Sequence, residues 1–226
     1  MKQLIKKIPL VGKLAVALKN KFFPSDQFTT TEEYWINRYR NGGDSGAGSY
    51  NKLAEFKADV INEFVSGNHI ETVIDLGCGD GNQLKYLNLP SYTGFDISPV
   101  AIEKCREEFK EDKDKQFYHM SQISDQKADL LLSLDVIYHL IEDETYDHYM
   151  NQLFDMAHSY VIIYACDMND TGNYAPHIKT RKFTGWIDDH KQEFRLLEHI
   201  PNKYPLEKGK GSTTSFSDFY IYERIK

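Results

Sequence analysis

The sequence predicts an α/β protein with a doubly wound, mostly parallel sheet. Three observations carry that expectation. Short β-branched apolar runs alternate with amphipathic stretches from residue 70 to about residue 165, as in a parallel sheet covered on both faces. One such run ends in an acid and a glycine-rich turn, Asp75-Leu76-Gly77-Cys78-Gly79-Asp80-Gly81. Two late strand-like runs, Phe194–Ile200 and Phe216–Arg224, have no helix between them, which marks an antiparallel pair at one sheet edge.

The elements follow in order. Residues 1–25 form a basic amphipathic N-terminal helix: Pro9 can open it, and Val11, Leu14, Ala15, Leu18 and Phe22 share a face. Six lysines precede the first acid, Asp26. An apolar centre with lysine edges suits either peripheral contact with a membrane surface or packing on a protein surface. Residues 26–66 read as an N-terminal cap of two helices. Thr29–Thr31 before Glu32 and Glu33 make a capped start. The run from Gly42 to Ser49 breaks the helix, and a second one runs from near Lys52 to about Val65 on Leu53, Phe56, Val60 and Phe64.

The core is residues 67–226. Thr72–Leu76, Ser91–Asp96, Gln116–Met120, Ala128–Leu134 and Tyr160–Tyr164 read as strands. Asn82–Leu87, Pro99–Glu111 and Glu142–Ser159 read as the helices between them.

Bulk properties narrow the function classes. The formal charge of -7 disfavours wholesale nucleic-acid binding. Three cysteines, Cys78, Cys105 and Cys166, contain no CxxC pair, so a disulfide framework is a poor reading and a cytoplasmic setting fits. No apolar run is long enough to span a bilayer.

The glycine turn is where a ligand would lie in such a sheet. Glycines let the backbone approach a ligand closely, and a following helix would aim free N–H groups at it. A pyrophosphate site wants G-x-G-x-x-G; here the third glycine comes one residue early, and Asp75 would repel phosphates and attract a cation. S-adenosylmethionine carries a sulfonium and an ammonium and has no phosphate. Asp96 ends the second strand, where a carboxylate accepts both hydroxyls of a ribose.

With Asp75 to Gly81, Gly94-Phe95-Asp96-Ile97-Ser98 and Ala128 to Val136, the chain resembles the class I, Rossmann-like S-adenosylmethionine-dependent methyltransferases. The resemblance implies a seven-stranded sheet with an antiparallel C-terminal hairpin. It implies that Asp75, Gly77, Cys78, Gly79 and Gly81 face the methionine part and Asp96 the ribose. Ile97 and Leu134 would line the cofactor, and Ser121 and Gln122 stand where an adenine contact is usual, although the family often has Asp there. Arg38 could meet the methionine carboxylate. S-adenosylhomocysteine would be the product.

The acceptor should sit beyond the fourth and fifth strands. His139 or His177 could take a proton from it, since a free imidazole titrates near neutrality. Asp135, Asp167 and Asn169 resemble the Mg²⁺ ligands of some small-molecule O-methyltransferases, but Asp135 to His139 also fits the commoner metal-free pattern, which is preferred. The cations His177, Lys179, Arg181 and Lys182 crowd one stretch, and Arg181 could grip a phosphate or carboxylate. The cap, core and His177–Arg181 stretch are similar, more loosely, to small methyltransferases of bacterial capsule and O-antigen gene clusters. The expected activity is O-methylation of a small anionic or sugar-containing acceptor. The competing readings are N-methylation, a nicotinamide oxidoreductase, and a non-catalytic scaffold docking through residues 1–25.

Overall fold

In the computed structural model, residues 28–170, 175–207 and 209–225 are described; the helix expected over residues 1–25 lies outside them. The core is one seven-stranded sheet of order β3-β2-β1-β4-β5-β7-β6. Its strands are β1 (Thr72–Leu76), β2 (Ser91–Asp96), β3 (Lys115–His119), β4 (Ala128–Leu134), β5 (Ala157–Ala165), β6 (Phe194–Ile200) and β7 (Asp218–Arg224). The pairs of β1 to β5 are all parallel. β7 is antiparallel to both its neighbours, β5 and β6.

Among the described residues the α-helices are α1 (Thr31–Arg40), α2 (Asn51–Gly67), α3 (Pro99–Glu108), α4 (Asp143–Asp155) and α5 (Phe183–His190). α1 starts where the threonines predict: the Thr30 hydroxyl accepts from the Glu33 N–H, satisfying one of the free donors of the first turn. Ser98 caps α3 in the same way, with Pro99 in its first turn. Two apolar layers hold the sheet. One packs Ile74, Leu131 and Ile163 against Met150, Leu153 and Phe154 of α4. The other packs Val73, Leu130 and Ile162 against Ile61 and Phe64 of α2.

Several boundaries differ from expectation. The segment Asn82–Leu87 forms only a 3-10 turn over Gln83–Tyr86. Its amides are used elsewhere, with Asn82 donating to Ser49 O and Gln83 to Ala54 O. A single short turn, not the full helix expected, therefore follows the glycine turn. α3 stops at Glu108, with Phe109 as its C-cap. α4 stops at Asp155, because β5 begins early, at Ala157, which pairs with Ala128. β3 lies one residue earlier than predicted, and β7 begins at Asp218 rather than Phe216. α5 was not legible beneath the cationic stretch that precedes it; it is anchored by buried Phe183 and Ile187. The connection from β3 to β4, residues 120–127, carries no α-helix, only a 3-10 turn over Met120–Gln122.

Candidate functional site

A cavity of about 590 Å³ opens at the carboxyl ends of β1, β2 and β4, beneath α1 and the loop that follows it. Ligands collect at this edge of parallel sheets, because loops from adjacent strands diverge there.

The floor is the glycine turn after β1. The N–H groups of Gly77 and Cys78 both donate to Phe95 O, at 2.7 and 3.0 Å, and fasten the turn to β2. Gly77 has φ +91°, and a Cβ there would lie 2.5 Å from Val136 Cγ2. Gly79 has φ +60°, and a Cβ there would collide with the Ser45 hydroxyl of the cap. Neither position tolerates a side chain. Gly81 is in the same turn but does not line the cavity; it packs on Phe109 and Cys105.

Two buried carboxylates face the floor. Asp75 Oδ2 accepts from the Tyr92 hydroxyl at 2.9 Å, while its buried Oδ1 has no partner. Burial pushes Asp75 up to about 7, since a low-dielectric site penalises the charged form. Asp96 accepts from the Gly79 and Ser98 N–H groups at 3.0 and 2.8 Å. Burial raises it to about 6 against those bonds. An orphaned carboxylate oxygen beside a glycine cradle fits the ammonium of an amino-acid moiety, and a carboxylate at the tip of β2 fits vicinal hydroxyls. These residues therefore suit S-adenosylmethionine.

Ile97, Met120, Ser121 and Leu134 line the next stretch of wall. His119, not singled out from sequence, organises it. Its Nε2 lies 2.9 Å from Ile97 O, while its Nδ1 receives the Ser121 N–H. The Nε2 therefore carries the proton. Gln122 turns away from the cavity and accepts from the His119 N–H.

The opposite wall holds His139, in a 3-10 turn after β4 (Ile137–His139). Its Nδ1 lies 2.8 Å from His177 O. A carbonyl only accepts, so Nδ1 is the protonated nitrogen and Nε2 carries the lone pair. Burial lowers the imidazole to about 4, outweighing its bond to His177, so it is neutral at pH 7. His177 does not line the cavity. Its ring stacks on Tyr34, centroids 4.4 Å apart.

Other expected residues are engaged elsewhere. Arg38 Nε and Nη2 bind the Asp44 carbonyl and carboxylate, so it clasps its own loop rather than reaching the cavity. Arg181 donates to Leu140 O at 2.7 Å, Ile141 O at 3.0 Å and the Asp143 carboxylate at 2.7 Å. It braces the turn behind His139, with its guanidinium over the Tyr146 ring. Lys179 pairs with the same Asp143. Asp135, Asp167 and Asn169 do not converge. Asp167 accepts from Thr184 and Asn169 from the Lys182 N–H. Asp135 binds Lys57, Tyr138 and Ser217. Among the described residues no group of three metal-type ligands forms.

Cap residues contribute more than their sequence revealed. Ser45 and Tyr50 both donate to the Asp80 carboxylate, at 2.7 and 2.9 Å, and join the cap to the glycine turn. Thr145, His148, Tyr149 and Gln152 of α4 also face the cavity. Their i, i+3, i+4, i+7 spacing is one helix stripe, a signal the sequence did carry.

Residues 74–160 match a family of known proteins described as a methyltransferase domain. No curated protein matches the chain by sequence. Solved structures share the fold. The N-methyltransferase NodS from Bradyrhizobium japonicum, in complex with S-adenosyl-L-homocysteine, aligns with a TM-score of 0.68 at 14% identity, covering 88% of this chain and 100% of that one. The magnesium protoporphyrin IX methyltransferase ChlM from Synechocystis, with bound S-adenosylmethionine, gives 0.59 at 14% identity, with 88% and 100% coverage. The methyltransferase domain of a bacterial CtHen1 gives 0.58 at 19% identity, with 77% and 100% coverage. With its strand order, its glycine turn and its two acid-tipped strands, the core of this chain has the fold of those methyltransferases, and residues 74–160 carry the match to the methyltransferase-domain family.

Proposed function

We propose that this protein uses S-adenosylmethionine to methylate a hydroxyl of a small, uncharged acceptor, sugar-like rather than anionic. The observation that carries the O-acceptor reading is His139, neutral, lining the cavity, with its Nε2 lone pair available.

Asp75 Oδ1 would receive the cofactor's ammonium and Asp96 its ribose hydroxyls. When bound, the cofactor supplies a methyl group already activated by its sulfonium. The chain's own part is alignment and proton removal. The acceptor hydroxyl becomes a strong acid as its oxygen gains the methyl group. A weakly basic imidazole therefore suffices to take that proton late in transfer, and Nε2 of His139 is the group placed for it.

The charge of the wall supports the acceptor class. Beyond Asp75 and Asp96, which the cofactor would take, the cavity is lined among the described residues by Glu32, Glu142 and Asp135, the last paired with buried Lys57, and by no lysine or arginine. A phosphate or carboxylate would meet like charge there. The anionic acceptor expected from Arg181 loses its anchor. Hydroxyls paired with carboxylates and the Trp35 ring suit a sugar, in line with the looser resemblance to capsule-cluster methyltransferases. The same wall also favours a second reading, an amine acceptor. The two are separated by whether the product is an ether or an N-methyl amine.

The first test is calorimetry with S-adenosylmethionine, S-adenosylhomocysteine and NAD on the wild type and Asp96→Ala. The expected result is binding of both adenosyl compounds, no binding of NAD, and an affinity loss of roughly 100-fold in the variant. NAD binding, or an unchanged variant, overturns the reading.

A further inference from the structure

We propose that Thr31 and Tyr34, both on α1, are positioning residues that set which nitrogen of His139 carries the proton. This inference rests on the reading of His139 as proton acceptor, and it gives the cap a part in the chemistry.

Two separate contacts run from α1 to the histidine. The first is a pile of rings. Tyr34 stacks on His177 at 4.4 Å and 11°, and His177 stacks on His139 at 5.4 Å and 20°. The backbone carbonyl of the middle residue, His177, receives Nδ1–H of His139 at 2.8 Å. Trp35 closes the side of the imidazole edge-on, 5.0 Å away. Removing the Tyr34 face frees His177 to shift, and its carbonyl shifts with it.

The second contact is the buried Thr31 hydroxyl. It accepts from the Ile141 N–H at 3.1 Å. It has a single proton to give, shared between Glu142 Oε2 at 2.7 Å and His139 O at 3.0 Å. The Thr31 N–H also donates to Glu142 Oε1 at 3.0 Å. Thr31 thus grips the turn carrying His139 on both sides of its backbone. Residues of α1, of the turn after β4 and of the segment around His177 must all be in place before Nε2 is the free lone pair. Without that scaffold an imidazole divides between tautomers, and in one of them Nε2 carries a proton and cannot accept another.

The test reads the tautomer directly and needs no acceptor. Full-length protein with ¹⁵N-labelled histidine is studied by long-range proton–nitrogen spectra, with His139→Gln used to assign the signal. The wild type should show His139 with Nδ1 protonated. In Thr31→Val and in Tyr34→Leu the ratio of the two tautomers should fall by roughly tenfold. Thr31→Ser and Tyr34→Phe, which keep the hydroxyl and the ring, should restore it. A single wild-type tautomer in both Thr31→Val and Tyr34→Leu overturns the proposal. If Tyr34→Leu does not fold, the nearly isosteric Thr31→Val decides alone. Failure of the base reading shows differently: His139→Ala would keep its transfer rate while the tautomer still answered to Thr31 and Tyr34.

Discussion

The ammonium of Lys57, a fully buried lysine on α2, lies 2.8 Å from the carboxylate of Asp135 at the tip of β4. Asp135 also accepts from the Tyr138 hydroxyl at 2.9 Å and from Ser217 at 3.1 Å. Its φ of +61° is a left-handed conformation that a residue with a side chain adopts at a cost. Charge, backbone strain and three chain segments therefore meet at one residue in the cavity wall. Breaking the pair from one side should leave an uncompensated buried charge. Lys57→Met or Asp135→Asn alone is expected to cost about 3–5 kcal/mol. The Lys57→Met, Asp135→Asn double variant should recover part of that loss. Urea unfolding of all four proteins measures it, and additive losses would show that the two charges do not interact.

Asp75 ties stability and binding to pH in opposite senses. Its ordinary value is 3.8 and its folded value is about 7. Between those values the folded state holds a proton that the unfolded state has released. Its contribution therefore falls as pH rises from about 4 to about 7 and is level above that. Asp75→Asn should raise the melting temperature at pH 8, leave it nearly unchanged at pH 4, and abolish cofactor binding. In the wild type, affinity for S-adenosylhomocysteine should climb with pH up to about 7 as the carboxylate ionises to meet the ammonium. A flat profile in calorimetry would exclude Asp75 as the ammonium's partner.

His139→Ala should reduce methyl transfer by about 100- to 10,000-fold, with S-adenosylhomocysteine affinity kept. Since burial holds its imidazole at about 4, the wild-type rate should not fall between pH 8 and pH 6 on account of this residue. A histidine-dependent loss with midpoint near 6.5 would assign the base elsewhere.

Arg181→Ala should act on the fold rather than on acceptor charge. It removes bonds to Leu140 O, Ile141 O and Asp143, a loss of about 2 kcal/mol. The expected result is a lower melting temperature and an equal change in turnover for neutral and phosphorylated sugars. A selective loss of the phosphorylated one would return Arg181 to the acceptor site.

The sheet was legible because buried parallel strands read as β-branched runs; β1, β2 and β4 fall on the residues expected of them. The short segment after the glycine turn misled, because it makes only a 3-10 turn and its asparagine and glutamine side-chain amides serve the cap backbone. Asp75 and Asp96 were readable since each is fixed by its place at a strand end. Arg38 and Arg181 were not, because a charge pattern does not record which carbonyls and carboxylates lie nearby. The partners of His139 come from positions 31, 34, 35 and 177, and no local spacing connects them.

The eight-residue link between β3 and β4 sets a mechanical limit on this molecule. It runs past β2 and β1, about 14 Å sideways, and returns about 20 Å along the strands, a diagonal of about 24 Å. Extended chain covers about 3.3 Å per residue, and the 3-10 turn at Met120–Gln122 spends part of the length more compactly. Little slack remains. Shortening the link by one residue should pull on the His119–Ser121 corner before it disturbs the sheet. Lengthening it should be absorbed at the surface. Strand order thus turns a residue count into tension on one wall of the cavity.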